Sequence, residues 1–341
     1  MSIVLSMEIR PENIVIVEGQ DIKGKIMIEK VLTSRLPSGN IVNSAITDYN
    51  GVEMIIKNLL EKNNVKTKKV IVTLDIVNML IRDFEIPFGK PAEMEGMVKS
   101  EMVQNYSASN SDVIEFKKIA DIDAEGTKKI KVRAMALSTQ IISDYYNLLT
   151  SLKLKPVIMD SNANALEKIF SNSTQINGID TKDESFIVLD FGSVGTVINA
   201  VHDGVVQLSR STSLGLRDLN EYISGKINQF GEHGEYIEQV DFESLEETPV
   251  SIAANNFMAQ WCNEIQKVIK FALLRLDVNS ISNMYIIGEG SQIPGIINLI
   301  SKNLFIEVKQ IDSVSAINFK REEDKTKLYQ CINAAGAILR L

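Results

Sequence analysis

Leu189-Asp190-Phe191-Gly192-Ser193-Val194-Gly195-Thr196 is the stretch on which the reading of this chain turns. Ser185 to Phe191 has the apolar make-up of a strand, and the glycines from Gly192 to Gly195 break it into a turn. Val197 to His202 is a second strand, Asp203-Gly204 a hairpin turn, and Val205 to Arg210 a third strand. An Asp-x-Gly-x-x-x-Thr hairpin suits phosphate. Glycine lets backbone N–H groups come close to phosphate oxygens, and a carboxylate at a strand end can hold Mg²⁺ through water. Ser193 and Thr196 offer hydroxyl donors. An ordinary tight hairpin carries the same glycines, so alone the stretch leaves both readings open.

About a hundred residues further on stands a second glycine element, Ile287-Gly288-Glu289-Gly290-Ser291-Gln292-Ile293-Pro294-Gly295. A short buried strand, Met284 to Ile287, runs into a turn, and Pro294 opens a helix. Such a turn lets an adenosine lie against bare backbone, and the ordered pair is more specific than either alone.

The first half begins as the second does. Ile3 to Ile9 reads as a strand, Pro11-Glu12-Asn13 as a turn, and Ile14 to Val17 as a second strand. Asp21 to Gly24 turns the chain again before a third strand, Lys25 to Val31. A helix capped by Thr47 or Asp48 follows, with Val52, Ile55, Ile56, Leu59 and Leu60 on one face, and then a strand from Lys69 to Leu74. Two halves that each open with a three-strand meander point to two related αβ domains facing each other.

Between them lies a different module. Ile81 to Ile86 alternates and stops at Pro87; a helix opening near Pro91 carries Met94, Met97, Val98 and Met102 on one face. Two strands, Ile114 to Ile119 and Ile130 to Leu137, surround a turn at Asp123–Gly126. A second helix bears Ile141, Tyr145, Leu148, Leu149 and Leu152. The longest later helix stripes Phe257, Trp261, Ile265, Val268, Ile269, Ala272 and Leu276, and a last helix at about 325–341 buries Leu328, Cys331, Ile332 and Ala335. Core packing is the default reading of such stripes.

Composition excludes several classes. The 341 residues suit two domains at ~150 residues each. Hydrophobic residues at 45% and charged residues at 23% exclude a disordered chain and a coiled coil. Lys+Arg at 36 against Asp+Glu at 44, net −8, speaks against a general nucleic-acid binder. The one basic cluster, Lys62, Lys66, Lys68 and Lys69, reads as a solvated helix end. Cys262 and Cys331 read as separate buried thiols, and His202 and His233 have no metal-ligand spacing. The longest apolar run, Ala334 to Leu339, is far short of the ~20 residues that span a bilayer, and the first basic residue is Arg10, unlike a leader; a cytosolic protein is expected.

With these elements in place, the chain resembles the actin-like ATPase superfamily. Asp190–Thr196 matches its second phosphate hairpin and Gly288–Gly295 its adenosine motif. Asn333-Ala334-Ala335-Gly336-Ala337 resembles its C-terminal connecting helix, and Met159-Asp160-Ser161-Asn162-Ala163-Asn164-Ala165-Leu166 the earlier connecting segment. Within the superfamily the chain is most similar to the PilM family of type IV pilus assembly proteins. Arg82-Asp83-Phe84-Glu85-Ile86-Pro87, followed by the Glu93–Tyr106 helix, looks like the start of that family's insert; Leu154-Lys155-Pro156 followed by Asp160 looks like its exit. The cell-division family of FtsA shares the insert's position. The chain departs from the pattern twice: Glu8-Ile9-Arg10-Pro11-Glu12-Asn13 stands where the first phosphate hairpin has Asp-x-Gly, and Glu289 stands where the adenosine motif has a second glycine. Arg10 removes the close backbone approach and Pro11 an N–H donor, although a guanidinium can itself meet phosphate.

The resemblance implies an α/β fold with an α+β insert: actin-like, ribonuclease H-like duplicated domains around a nucleotide cleft. It implies a first domain of 1–79, 156–183 and 325–341, an insert of 80–155, a second domain of 184–215 and 274–324, and a mostly helical subdomain of 216–273. It implies weak binding of ATP and Mg²⁺ with negligible turnover. Asp190, Gly192, Ser193, Thr196, Glu8 and Arg10 would then lie on the phosphate side, and Gly288, Gly290 and Ser291 on the adenosine side; Asp190, Glu8 and Asp160 would be the metal-side carboxylates. The implied partner is the N-terminal cytoplasmic peptide of a PilN-like membrane protein, held in a groove between the first domain and the insert. That partner would place a cytoplasmic scaffold at the inner membrane without inserting it. Met79, Met94, Met97 and Met102 suit such a groove by their flexibility, and they equally suit the insert's own core. Self-association is left open. The alternatives are a sugar or acid kinase, for whose general base Asp160 is the one candidate carboxylate, and an FtsA-like filament protein. The latter ends in a linker and an amphipathic membrane helix, whereas this sequence stops at Leu341.

Overall fold

A computed structural model describes residues 2–74, 79–124, 127–227, 235–244, 246–276, 280–281 and 283–339. His233, Leu341 and the tip of the turn expected at Asp123–Gly126 lie outside the described residues. The chain opens with β1 (Val4–Ile9), β2 (Asn13–Ile22) and β3 (Lys25–Arg35), an antiparallel meander with Glu8 opposite Val15. A ribbon of β4 (Ile41–Val42) and β5 (Ala45–Ile46) leads to α1 (Tyr49–Lys62). Asp48 caps α1 by accepting the Gly51 N–H at 3.0 Å. The strand β6 (Lys69–Leu74) then pairs parallel to β1.

The insert follows: β7 (Leu80–Pro87), α2 (Pro91–Tyr106), β8 (Val113–Ala124), β9 (Thr127–Leu137) and α3 (Thr139–Ser151). Its sheet has the order β7-β9-β8. The chain returns through β10 (Lys155–Ser161), parallel to β6, and crosses over by α4 (Asn162–Ser171) and the ribbon β11 (Gln175–Ile176) with β12 (Ile179–Asp180).

The second meander is β13 (Ser185–Phe191), β14 (Thr196–His202) and β15 (Val205–Thr212). After it come α5 (Leu216–Ile227), α6 (Pro249–Leu276), β16 (Asn283–Ile287), α7 (Ile296–Leu304), β17 (Val308–Gln310), β18 (Ile317–Phe319) and α8 (Leu328–Gly336). The two meanders lie in separate sheets, β10-β6-β1-β2-β3-β18 and β15-β14-β13-β16-β17.

Strand alternation explains the layering. Phe186 and Val188 of β13 point inward to a core shared with Val15 and Val17 of β2 and with α4 and α8, which cross between the sheets. Ile187, Leu189 and Phe191 point the other way, onto Trp261, Met258 and Ile265 of α6. On the outer face of the first sheet, Leu5, Met7 and Ile9 pack against Val52 and Ile56 of α1. The crossing of α4 and α8 is close: a side chain on Gly336 would meet the Ala165 carbonyl at 2.2 Å.

Three features differ from the sequence expectation. The helix α3 packs outside the insert's core: Tyr145, Leu148 and Leu149 lie fully buried with Leu5, Met7 and Val70 in the first sheet's outer core. An amphipathic stripe shows that a face is buried but not on what. Second, the chain rejoins the first sheet before residue 325, because β18 pairs parallel to β3. Third, the last helix begins as a 3₁₀ turn over Glu322–Lys327 before α8. Leu148→Ala should therefore destabilise the protein by about 2–5 kcal/mol through the first sheet's core. Urea unfolding measures this; a loss below about 0.5 kcal/mol, a surface-like effect, would place α3 outside that core.

Candidate functional site

The cleft between the sheets is built by the ends of β1 and β13. On β1, Ser6 and Glu8 face the same side by strand period, and Arg10 follows where the strand turns. The turn closes by a bond from Arg10 N–H to the Asn13 carbonyl at 2.8 Å. Glu8, 1% exposed, accepts on Oε1 from Arg10 Nε at 2.7 Å, from Asn162 Nδ2 at 2.7 Å and from Asn333 Nδ2 at 3.3 Å. Asp190, at the end of β13, accepts from Arg10 Nη1 at 3.0 Å and Nη2 at 2.7 Å. It also accepts from Asn333 Nδ2 at 2.9 Å. One guanidinium thus bridges both sheets, bidentate toward the second.

The electrostatics follow from burial. Burial raises the Glu8 pKa; the Arg10 charge opposes that rise and the Asp190 charge adds to it. Burial would lower the Arg10 pKa, but Asp190 and Glu8 outweigh it and hold the guanidinium firmly charged. Two further contacts cross the cleft beside this cluster. Asn13 Nδ2 donates to Glu289 at 2.8 Å, and Arg217 Nε, at the start of α5, donates to Glu12 at 3.0 Å.

The glycine elements are tightly built. Gly192 N–H closes its turn on the Gly195 carbonyl at 3.0 Å, and Ser193 accepts the Arg217 N–H on its backbone oxygen at 2.8 Å. Gly288 has φ +84°, where a side chain would meet Asp190 Oδ1 at 2.6 Å; one on Gly290 would strike the Phe191 ring at 2.3 Å. So both glycines of this element are required by its seat on the end of β13. The hydroxyls are turned inward. Thr196, fully buried, accepts from Trp261 Nε1 at 2.9 Å and donates to the Leu214 carbonyl at 2.8 Å. Ser291 donates to the Gly288 carbonyl at 2.7 Å. Asp160 is paired away from the cleft cluster, accepting from Lys168 Nζ at 2.7 Å and Asn164 Nδ2 at 2.8 Å.

With Arg10 in place these residues do not fit a magnesium-bound triphosphate. The two carboxylates that would hold the metal through water already hold a buried guanidinium, which repels a dication. The space beside Gly192–Gly195, about 320 Å³, is walled by Ile9, Ile41, Leu74 and Tyr145. Asn162 and Asn333 are the cleft residues that sequence reasoning missed. Both stand in the connecting segments it singled out, but only the packed helices show which faces turn to Glu8.

A second concavity, about 580 Å³, lies between the insert's sheet, the start of α4 and β15. Arg133 forms its floor, bidentate to Asp83 on the paired strand at 2.8 and 2.9 Å, and donates to the Val206 carbonyl of β15 at 2.6 Å. Lys117 bonds Asn164 at 3.0 Å and pairs with Glu167. Arg82 lies over the Tyr106 ring at 5.7 Å, and Arg210 over Phe271 at 5.8 Å. Neither Arg82 nor Arg210 has an ion pair among the described residues, so the groove has surplus positive charge. Met79 and Met135 line it. Met102 is fully buried in the insert's core, and Met94 and Met97 pack against that core.

Two meandering sheets, joined by crossing helices around a cleft of strand-end carboxylates, define the class as the actin-like ATPase fold. The family model described as type IV pilus assembly protein PilM matches residues 7–337, and the chain belongs to that family. The solved structure of a PilM-PilN type IV pilus biogenesis complex is similar with a TM-score of 0.81 at 18% identity, covering 99% of this chain and 98% of that one. The ethanolamine utilization protein EutJ from Carboxydothermus hydrogenoformans is similar with a TM-score of 0.59 at 14% identity, over 99% and 90%. No helix among the described residues is long and apolar enough to cross a membrane.

Glu289 gives the cleft a measurable pH signature. Burial raises its pKa above the ordinary 4.5, Asp190 and Glu12 add to the rise, and Arg10 and the Asn13 bond oppose it. A carboxyl with a raised folded pKa contributes stability that is fully present below its unfolded pKa and is lost as pH climbs through the folded one. Glu289→Gln keeps an acceptor for Asn13 and drops the charge. It should be more stable than wild type at neutral pH and indistinguishable below about pH 4. Thermal midpoints across that range check this; a variant less stable at neutral pH would mean the carboxylate is favourably held.

Proposed function

We propose that the protein is a scaffold of the type IV pilus inner-membrane assembly complex, and that it binds the N-terminal cytoplasmic peptide of a PilN-like membrane protein. The observation that carries this reading is the groove between the insert and the body of the protein. It is bordered by the insert's sheet and β15, floored by an ion-pair network, and supplied with two donors, Arg82 and Arg210, that have no acidic partner among the described residues. An extended peptide can lay backbone carbonyls and acidic side chains against such a surface, with Met79 and Met135 adapting to its apolar residues. The PilM-PilN complex supports the same reading as a structure of the same fold. A protein held this way works at the cytoplasmic face of the membrane through its partner.

Nucleotide has a minor part in this reading. ATP with Mg²⁺ would have to displace Arg10 from Glu8 and Asp190 before Gly192, Ser193, Gly288 and Gly290 could meet it. Breaking a buried ion pair on one side costs about 3–5 kcal/mol, so binding is weak. Turnover needs a base near the transferred phosphoryl group, and Asp160 is committed to Lys168.

The test is fluorescence anisotropy of a labelled PilN N-terminal peptide from the same genome. Affinity should be micromolar, as for transient contacts. Arg82→Glu, which reverses a wall charge without touching either ion pair of the floor, should weaken binding about tenfold, ~1.4 kcal/mol, and the effect should shrink with salt. An unchanged affinity in this variant would move the peptide to another surface.

A further inference from the structure

Arg10 sits where the acidic strand ends of the two sheets converge, and its bonds are divided between them. Nε holds Glu8 of the first sheet, and Nη1 and Nη2 hold Asp190 of the second. Without the guanidinium, two carboxylates would face one another in a buried site. Burial and the Asp190 charge already raise the pKa of Glu8, even with Arg10 present. The cluster is also short of donors: Glu8 Oε2, Asn162 Oδ1 and Asn333 Oδ1 are buried with no hydrogen-bond partner among the described residues. Asn162 and Asn333 turn their Nδ2 groups to Glu8, so the two carboxylates are the hard oxygen donors here, with a formal charge of minus two that suits Mg²⁺ or Ca²⁺.

We propose that Arg10 is a resident cation: it fills a latent divalent-cation site and joins the two domains from within, so that the closed cleft is set by the chain itself and not by a bound nucleotide. The neighbouring contacts act in the same sense. Asn13 reaches Glu289 and Arg217 reaches Glu12, each tying the turn after β1 to the second domain. Arginine is suited to this place because its planar fork satisfies two carboxylates at once and stays charged when buried. A lysine would keep the charge and lose the fork. The inference stands independently of what binds the groove beside the insert.

The experiment follows the thermal midpoint of the full chain, as wild type, Arg10→Ala and Arg10→Lys, in EDTA, millimolar MgCl₂, millimolar CaCl₂ and millimolar Mg-ATP. NaCl at matched ionic strength is the control. Wild type should hold its midpoint within about 1 °C in all of them. Arg10→Ala should lose roughly 5–10 °C, the effect of an uncompensated buried charge in a chain of this size. It should recover at least half of that loss with Mg²⁺ or Ca²⁺ and none with NaCl. Arg10→Lys should fall between the two and gain less from divalent ions. Calorimetric titration of CaCl₂ should give a saturable heat with Arg10→Ala and none with wild type. If Arg10→Ala does not fold, Asp190→Asn takes its place: it should melt lower than wild type and, with one carboxylate gone, show no divalent response. Wild type gaining several degrees from Mg-ATP, Arg10→Ala melting with wild type, or a folded Arg10→Ala indifferent to divalent ions would each overturn the proposal.

Discussion

The guanidinium of Arg10 between Glu8 and Asp190 is the contact on which the arrangement of the two halves depends. Each sheet has its own outer core, filled by α1 and α3 on one side and by α5, α6 and α7 on the other. Between the sheets, α4 and α8 supply a shared apolar core, but the cleft end of that core is polar. Buried carboxylates there need a partner, because unpaired burial of charge is costly. Arg10 provides it, and the amides of Asn162 and Asn333, from the two crossing helices, complete the shell. The charge network therefore fixes both the sheets and the helices that join them.

This constraint bears on what the protein can do. An actin-like cleft works as an engine when ligand binding and release move two domains. Here the cleft is laced by side chains from both sides, and the larger donor-rich concavity lies elsewhere, against the insert. Arg133 ties the insert's sheet to β15 of the second half and reaches Glu167 on α4 at 3.5 Å, so the groove spans elements whose spacing the cleft network stabilises. A cleft tied across by the chain's own side chains, with the docking groove proposed above, agrees with membership of the PilM family of pilus assembly proteins.

Much of this was legible in the residues. Alternation and turn chemistry disclosed both meanders, and the glycines at 192, 195, 288 and 290 marked the two elements that meet at the cleft. Arg10 and Glu289 stood out as departures, but which groups they would meet depended on contacts 180 and 276 residues away in sequence, which no local pattern encodes. The same limit explains the hydroxyls. Thr196 reads as a donor to a ligand until Trp261, on a helix 65 residues away, takes the place beside it. Helix α3 was legible as an amphipathic helix but not as part of the first sheet's core, since periodicity names a buried face without naming its cover. The strand β18, three residues long, is too short to carry a periodic signal at all.

With the cleft closed by Arg10, docking in the groove is independent of the cleft's ligand state. The most direct test of this independence is the affinity of the labelled PilN N-terminal peptide for the wild-type chain, measured with EDTA and again with saturating Mg-ATP. A network closed by Arg10 predicts the same dissociation constant within about twofold, a difference of under ~0.5 kcal/mol. A tenfold change in either direction would mean that nucleotide enters the cleft, moves the two halves and reaches the groove, and would contradict the account.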